Sequence, residues 1–191
     1  MSLGLRIAIV VAVQTLALFG MVGMKQYTLA TGSPVVLKTE PIDPRSLFSG
    51  DYVRLNYAIS RLELEKLEGE KTFERGDAVY VVLKEGKDYW EPVSVHRAYP
   101  AAGAERKVIK GKVEYLNQNP WQSREPAEPL KWINVKYGVE NYFVPEGEGR
   151  DLERPKPGET VSIRVVVDKY GNPAIKAVLV NGVERYVERL L

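Results

Sequence analysis

The chain contains no cysteine and a single histidine, His96. The first absence excludes disulfides, thiolate metal sites and cysteine nucleophiles. The second removes any metal centre built on several imidazoles. His96 lies in "WEPVSVHRAYP", an alternating run, and reads as a surface or half-buried strand residue. An excess of one charge is also missing. The 27 basic and 25 acidic residues are interspersed, for a formal net charge of +2. Nucleic-acid binding calls for a concentrated basic face, so that class is set aside. No cofactor is expected.

What is present divides the chain in two. With 191 residues, 45% hydrophobic and 27% charged, it is long enough for one ordinary domain and an appendage, and apolar enough to fold. From Ile7 to Met24 no residue is charged, and only Gln14 and Thr15 are clearly polar. A bilayer core of about 30 Å needs ~20 apolar residues in a helix, and this run with its flanks reaches that. A cleaved signal peptide has a shorter apolar core of roughly 7–15 residues and small residues at its cut site. Here the small-residue signal is only the "TLA" ending at Ala30, so an uncleaved signal-anchor is favoured. No amphipathic face marks a core helix. The amino terminus and Arg6 on one side, against Lys25 on the other, favour an amino terminus in the cytoplasm and a body outside it. Residues 1–30 are read as the anchor with short flanks, and residues 31–191 as an extracytoplasmic β-rich domain.

In that second part, prolines 34, 41 and 44 prevent helix from continuing. Strand-like runs follow: "AVYVVL", "YWEPVSVHRAY", "RKVIKGKVEYL", "LKWINVKYGVENYFV" broken at Gly138, and "ETVSIRVVVD", which sets Val161, Ile163, Val165 and Val167 on one face. Asn181-Gly182 between valines is a strong hairpin signal. "SRLELEKLEGEKTF" is ambiguous, because Ser60 and Glu63 form a capping-box pattern while Leu62 and Leu64 keep strand spacing. "SGDYVRLNY", "RGDAVYVVL" and "PGETVSIRVVV" share one device: glycine, acid, one residue, then a valine-headed strand. The glycine reaches positive φ and the acid accepts a turn amide. The expected fold is mainly β, a single membrane helix followed by an antiparallel β-sandwich or barrel-like domain.

In "GDYVRLNYAIS", alternation puts Val53, Leu55, Tyr57 and Ile59 on a core face, with the Tyr57 hydroxyl hydrogen-bonded. Tyr52, Arg54, Asn56 and Ala58 take the other face. This stretch resembles the signature of the GDYXXLXY family of bacterial membrane-anchored proteins, with Gly50, Asp51, Tyr52, Leu55 and Tyr57 all in place. "PIDPRSLFSGDY" and "YGVENYFVPEGEGRDLE" are similar to other recurring segments of that family. The resemblance covers essentially the whole chain. It implies a single-span protein that occurs with multi-pass membrane proteins, and an accessory role, but no activity.

The candidate contact residues are Asp51, Tyr52, Arg54, Asn56, Tyr142, Glu146 and Glu148. The acidic loop carrying Glu146, Glu148, Asp151 and Glu153 matches no calcium-loop spacing, and Arg150 and Arg154 offset its charge. A partner contact suits it better than a metal. A hydrolase is the alternative. "RGDAVYVVL" and "RKVIKGKVEY" resemble strand segments of signal peptidases, which would make Lys107 a base for a serine. Those enzymes hold the serine in a serine-methionine-x-proline context, which Ser46 and Ser49 lack. A receptor for a small ligand would use Trp121 or Tyr142, aromatics read as lying in loops. The leading expectation is a non-enzymatic binding or scaffolding subunit that contacts the lipid bilayer and a multi-pass membrane protein.

Overall fold

The computed structural model describes residues 2–40, 52–103, 105–117, 130–144, 152, 156 and 158–188. A helix, α1 (Leu3–Thr31), leads into β1 (Ser33–Glu40). Twelve strands follow: β2 (Tyr52–Arg54), β3 (Asn56–Tyr57), β4 (Arg61–Glu63), β5 (Glu68–Gly69), β6 (Ala78–Glu85), β7 (Trp90–His96), β8 (Arg106–Leu116), β9 (Trp132–Lys136), β10 (Asn141–Phe143), β11 (Val161–Val167), β12 (Pro173–Val180) and β13 (Val183–Val187).

The helix follows from its residues. Ser2 caps it by accepting the Leu5 amide, and glycines 4, 20 and 23 do not outweigh the long cooperative run of Leu, Ile, Ala, Val and Met. Its 29 residues span about 43 Å at 1.5 Å per residue, and it is long and apolar enough to cross a membrane. Its apolar window is bare of protein on every side. Its buried residues are Thr28 and Leu29, in the last turn, which rest against the β-domain.

The described strands form three sheets. One has the order β13-β12-β11-β1-β3, a second the order β4-β9-β8-β6-β7-β5, and β10 with β2 make the third. One of the sheets curls into a half-barrel. The mainly β, antiparallel expectation holds, with one exception: β5 runs parallel to β7. A single apolar core joins the sheets, from Val35 and Leu37 on β1 through Val81 and Ile109 to Ile133 and Ile163. Each such side chain contributes about 1.5–3 kcal/mol by leaving water.

The turn chemistry read from the sequence is visible. Asn181 and Gly182 both adopt positive φ, 52° and 79°, as a two-residue hairpin between β12 and β13 requires. In two of the three glycine-acid turns the acid side chain accepts the amide three residues before it: Glu74 N–H donates to Asp77 at 2.9 Å and Lys156 N–H to Glu159 at 3.2 Å. The third, at Gly50 and Asp51, lies outside the described residues. The ambiguous stretch is neither one helix nor one strand. It alternates short 3₁₀ turns with β4 and β5, burying Leu62, Leu64 and Leu67, while Ser60 accepts the Tyr57 amide instead of capping a helix.

One expectation about faces was too narrow. Val161, Ile163, Val165 and Val167 are buried together as their spacing predicts, yet Val166 on the opposite side is buried too. It packs with Leu29 of α1 and Ala174 of β12. The apolar helix therefore ends on the sheet, covering a face that alternation alone would leave to solvent.

Candidate functional site

The signature stretch is held by the second family-like segment. Leu55 donates its amide to the Glu140 carbonyl at 2.7 Å, and β2 pairs with β10 so that Val53 faces Tyr142 and Arg54 faces Asn141. Tyr57 is fully buried and donates its hydroxyl to the Val139 carbonyl. In return, Tyr137 donates its hydroxyl to the Ile59 carbonyl at 2.7 Å. Glu140 closes the turn between them, accepting the amides of Tyr137 and Gly138, the latter at φ +80°. Burial, and secondarily the Glu140 charge, push both phenols well above the ordinary tyrosine range. These hydroxyls stay protonated and serve as donors. Leu55 and Tyr57 are thus explained by packing and hydrogen bonding, not by chemistry on a ligand.

The opposite side of the same strands is a surface. Arg54 is exposed and Asn56 half-buried. Across the ladder, Asn141 is exposed and Phe143 is 76% exposed. Directly opposed residues of an antiparallel pair share a face. The register places Phe143 opposite Tyr52. Sequence reasoning missed Phe143 and Asn141, because only the pairing of distant strands brings them beside Arg54. Tyr142 goes the other way: it is not a loop aromatic but a β10 residue, 7% exposed, with its ring 6.4 Å from that of Tyr186. A receptor pocket built on Tyr142 loses its exposed aromatic. Asp51, Glu146, Glu148, Ser46, Ser49 and Trp121 lie outside the described residues.

A second cluster, not anticipated, surrounds the end of α1. Thr28 donates its hydroxyl to Asp168 at 2.9 Å. The same carboxylate accepts the amides of Tyr170 and Asn172, each at 2.9 Å, and the Asn172 side-chain amide at 3.1 Å. Burial pushes Asp168 up, but the hydrogen bonds from Asn172, Tyr170 and Thr28 together outweigh it and hold the carboxyl below its usual range. Gly32 permits the approach: a Cβ there would sit 2.6 Å from the Thr28 carbonyl oxygen and 2.9 Å from Val166 Cβ.

Beside this junction is an open cleft of about 660 Å³, lined by Thr31, Ser33, Arg106, Lys107, Asp168 and Lys169 among others. An adjoining cleft of similar volume shares Ser33 and Lys107 but mixes its charges, adding Lys84, Glu85, Glu105 and Arg164. Lys107, singled out as a candidate base, is half-buried and lines both clefts, and Ser33 lines both with it. No sequence signal could have paired them, since 74 residues separate a strand start from the next sheet. Among the described residues no three His, Asp or Glu side chains gather to hold a metal ion.

Comparison with curated proteins and with solved structures returned no match. The profile of the GDYXXLXY protein family matches residues 14–178, from within α1 to β12. That match takes in the signature strand, the segment that grips it and the helix–sheet junction, and by it the chain belongs to the GDYXXLXY family.

Proposed function

We propose that the protein is a single-pass membrane subunit that binds and holds a multi-pass membrane partner from outside the cytoplasm, without catalysing a reaction. The observation that carries this reading is the bare apolar surface of α1, bonded and packed at one end against a folded β-domain. An apolar helix of that length leaves its surface to lipid or to another helix. The Thr28–Asp168 bond and the Leu29–Val166–Ala174 contact keep the domain from swinging on a linker. A domain held in one pose presents one face, and Arg54, Asn56, Asn141 and Phe143 supply one. Exposed aromatic and arginine side chains are the residue types that dominate binding energy in contact patches.

Co-purification from native membranes in mild detergent tests this. Replacing Arg54, Asn56 and Phe143 together with alanine should reduce recovery of the partner about tenfold or more while the melting temperature stays within a few degrees. Recovery of no membrane protein at native expression would overturn the reading. The shared position of Ser33 and Lys107 favours one second reading, a serine/lysine hydrolase. A proteolytic phenotype abolished by Ser33→Ala would establish it in place of the scaffold.

A further inference from the structure

The cleft at the foot of α1 takes its meaning from its height above the apolar run. That run ends at Met24, and Thr31 lies seven residues on, about 10 Å along the axis. A bilayer about 40–45 Å thick with a core of about 30 Å leaves a headgroup layer of roughly 5–8 Å on each side. With α1 in the bilayer, the cleft opens at the outer edge of the headgroups. Its lining suits a phosphate ester there. Ser33 brings a hydroxyl, and Arg106, Lys107 and Lys169 bring three cations, while the Thr31 hydroxyl is donated to the Tyr27 carbonyl at 2.8 Å. Among the described residues the one carboxylate lining it is Asp168, already saturated by four donors. Two exposed tyrosines flank the helix exit. Tyr170 lies under the Lys169 ammonium, 5.0 Å from its ring centroid, and Tyr27 sits on the last helical turn. Tyrosines are enriched at such depths because the ring meets acyl chains and the hydroxyl meets water. Pro100, Ala101 and Ala102 add a small apolar lip.

We propose that this cleft binds the phosphate headgroup of an anionic membrane lipid, with Lys107 and Lys169 as cationic contacts and Ser33 as a hydroxyl donor. The inference rests on α1 spanning the bilayer. Soluble phosphate esters share the chemistry, but depth, tyrosines and apolar lip together assign the lipid as the source.

The test uses the full chain in nanodiscs of phosphatidylcholine, with and without phosphatidylglycerol, and native mass spectrometry of the lipids retained after release. Resistance to alkaline wash is measured first on the same preparation, so failure of insertion is seen separately from failure of lipid selection. Phosphatidylglycerol should be retained preferentially. Lys107→Gln with Lys169→Gln should lower that retention about tenfold or more. The control pair Lys38→Gln with Lys112→Gln, exposed cations on β1 and β8 away from the cleft, should leave it unchanged. An inserted protein that retains both lipids equally, or loses selectivity equally in both pairs, overturns the proposal. So does binding of inorganic phosphate in lipid-free detergent without any preference among lipids.

Discussion

Tyr57 and Tyr137 show how a conspicuous sequence feature becomes structural once its surroundings are known. Each phenol crosses to the segment carrying the other and donates to a backbone carbonyl, Val139 for Tyr57 and Ile59 for Tyr137. Burial of the Tyr57 ring was legible from alternation, as was its need for a hydrogen bond. Its partner was not, because Val139 is 82 residues away. Tyr57→Phe keeps the packing but leaves a buried carbonyl unpaired, which costs about 1–3 kcal/mol. Urea unfolding should show that loss as a lower midpoint with an unchanged slope. An unchanged midpoint would mean that the carbonyl finds water instead.

At the scale of elements, the strands were readable wherever one face is buried and the turn residues are decisive, as at Asn181-Gly182. The joint between α1 and the β11–β12 turn was not, since a hydrogen bond between Thr28 and Asp168 spans 140 residues. That joint has a pH dependence whose sign is fixed. Asp168 titrates lower in the folded chain than in the unfolded one. Its stabilisation is therefore present above the ordinary carboxylate value of about 4 and is lost as the pH falls through the lowered folded value. Asp168→Asn should cost about 1.5–3 kcal/mol near neutral pH, because Thr28 and the turn amides lose a charged acceptor. Melting in detergent from about pH 7 down to about pH 3 should show the gap between wild type and variant closing at the acid end. A gap independent of pH would show that the charge at Asp168 contributes nothing.

For the whole molecule, the central fact is an apolar rod fixed, among the described residues, to a β-domain at its carboxy-terminal end. Val11 and Leu16 lie on the rod, exposed and far from the joint. Replacing both with lysine puts two charges into the middle of the apolar run, each costing about 2.5–3.5 kcal/mol at a bilayer centre. The variant should appear in the supernatant of an alkaline wash while the β-domain melts as before. Retention in the pellet would mean that something other than lipid holds α1.

Composition and local pattern alone determined the division into apolar helix and β-rich body, the alternating faces and the turns. These depend on neighbours within a few residues, where periodicity and φ preferences act directly. Tertiary structure alone decided which face of β11 the helix covers, which strand lies beside Arg54, and which serine shares a cleft with Lys107. Each of those follows from pairing and packing between segments far apart in the chain, which no local preference encodes.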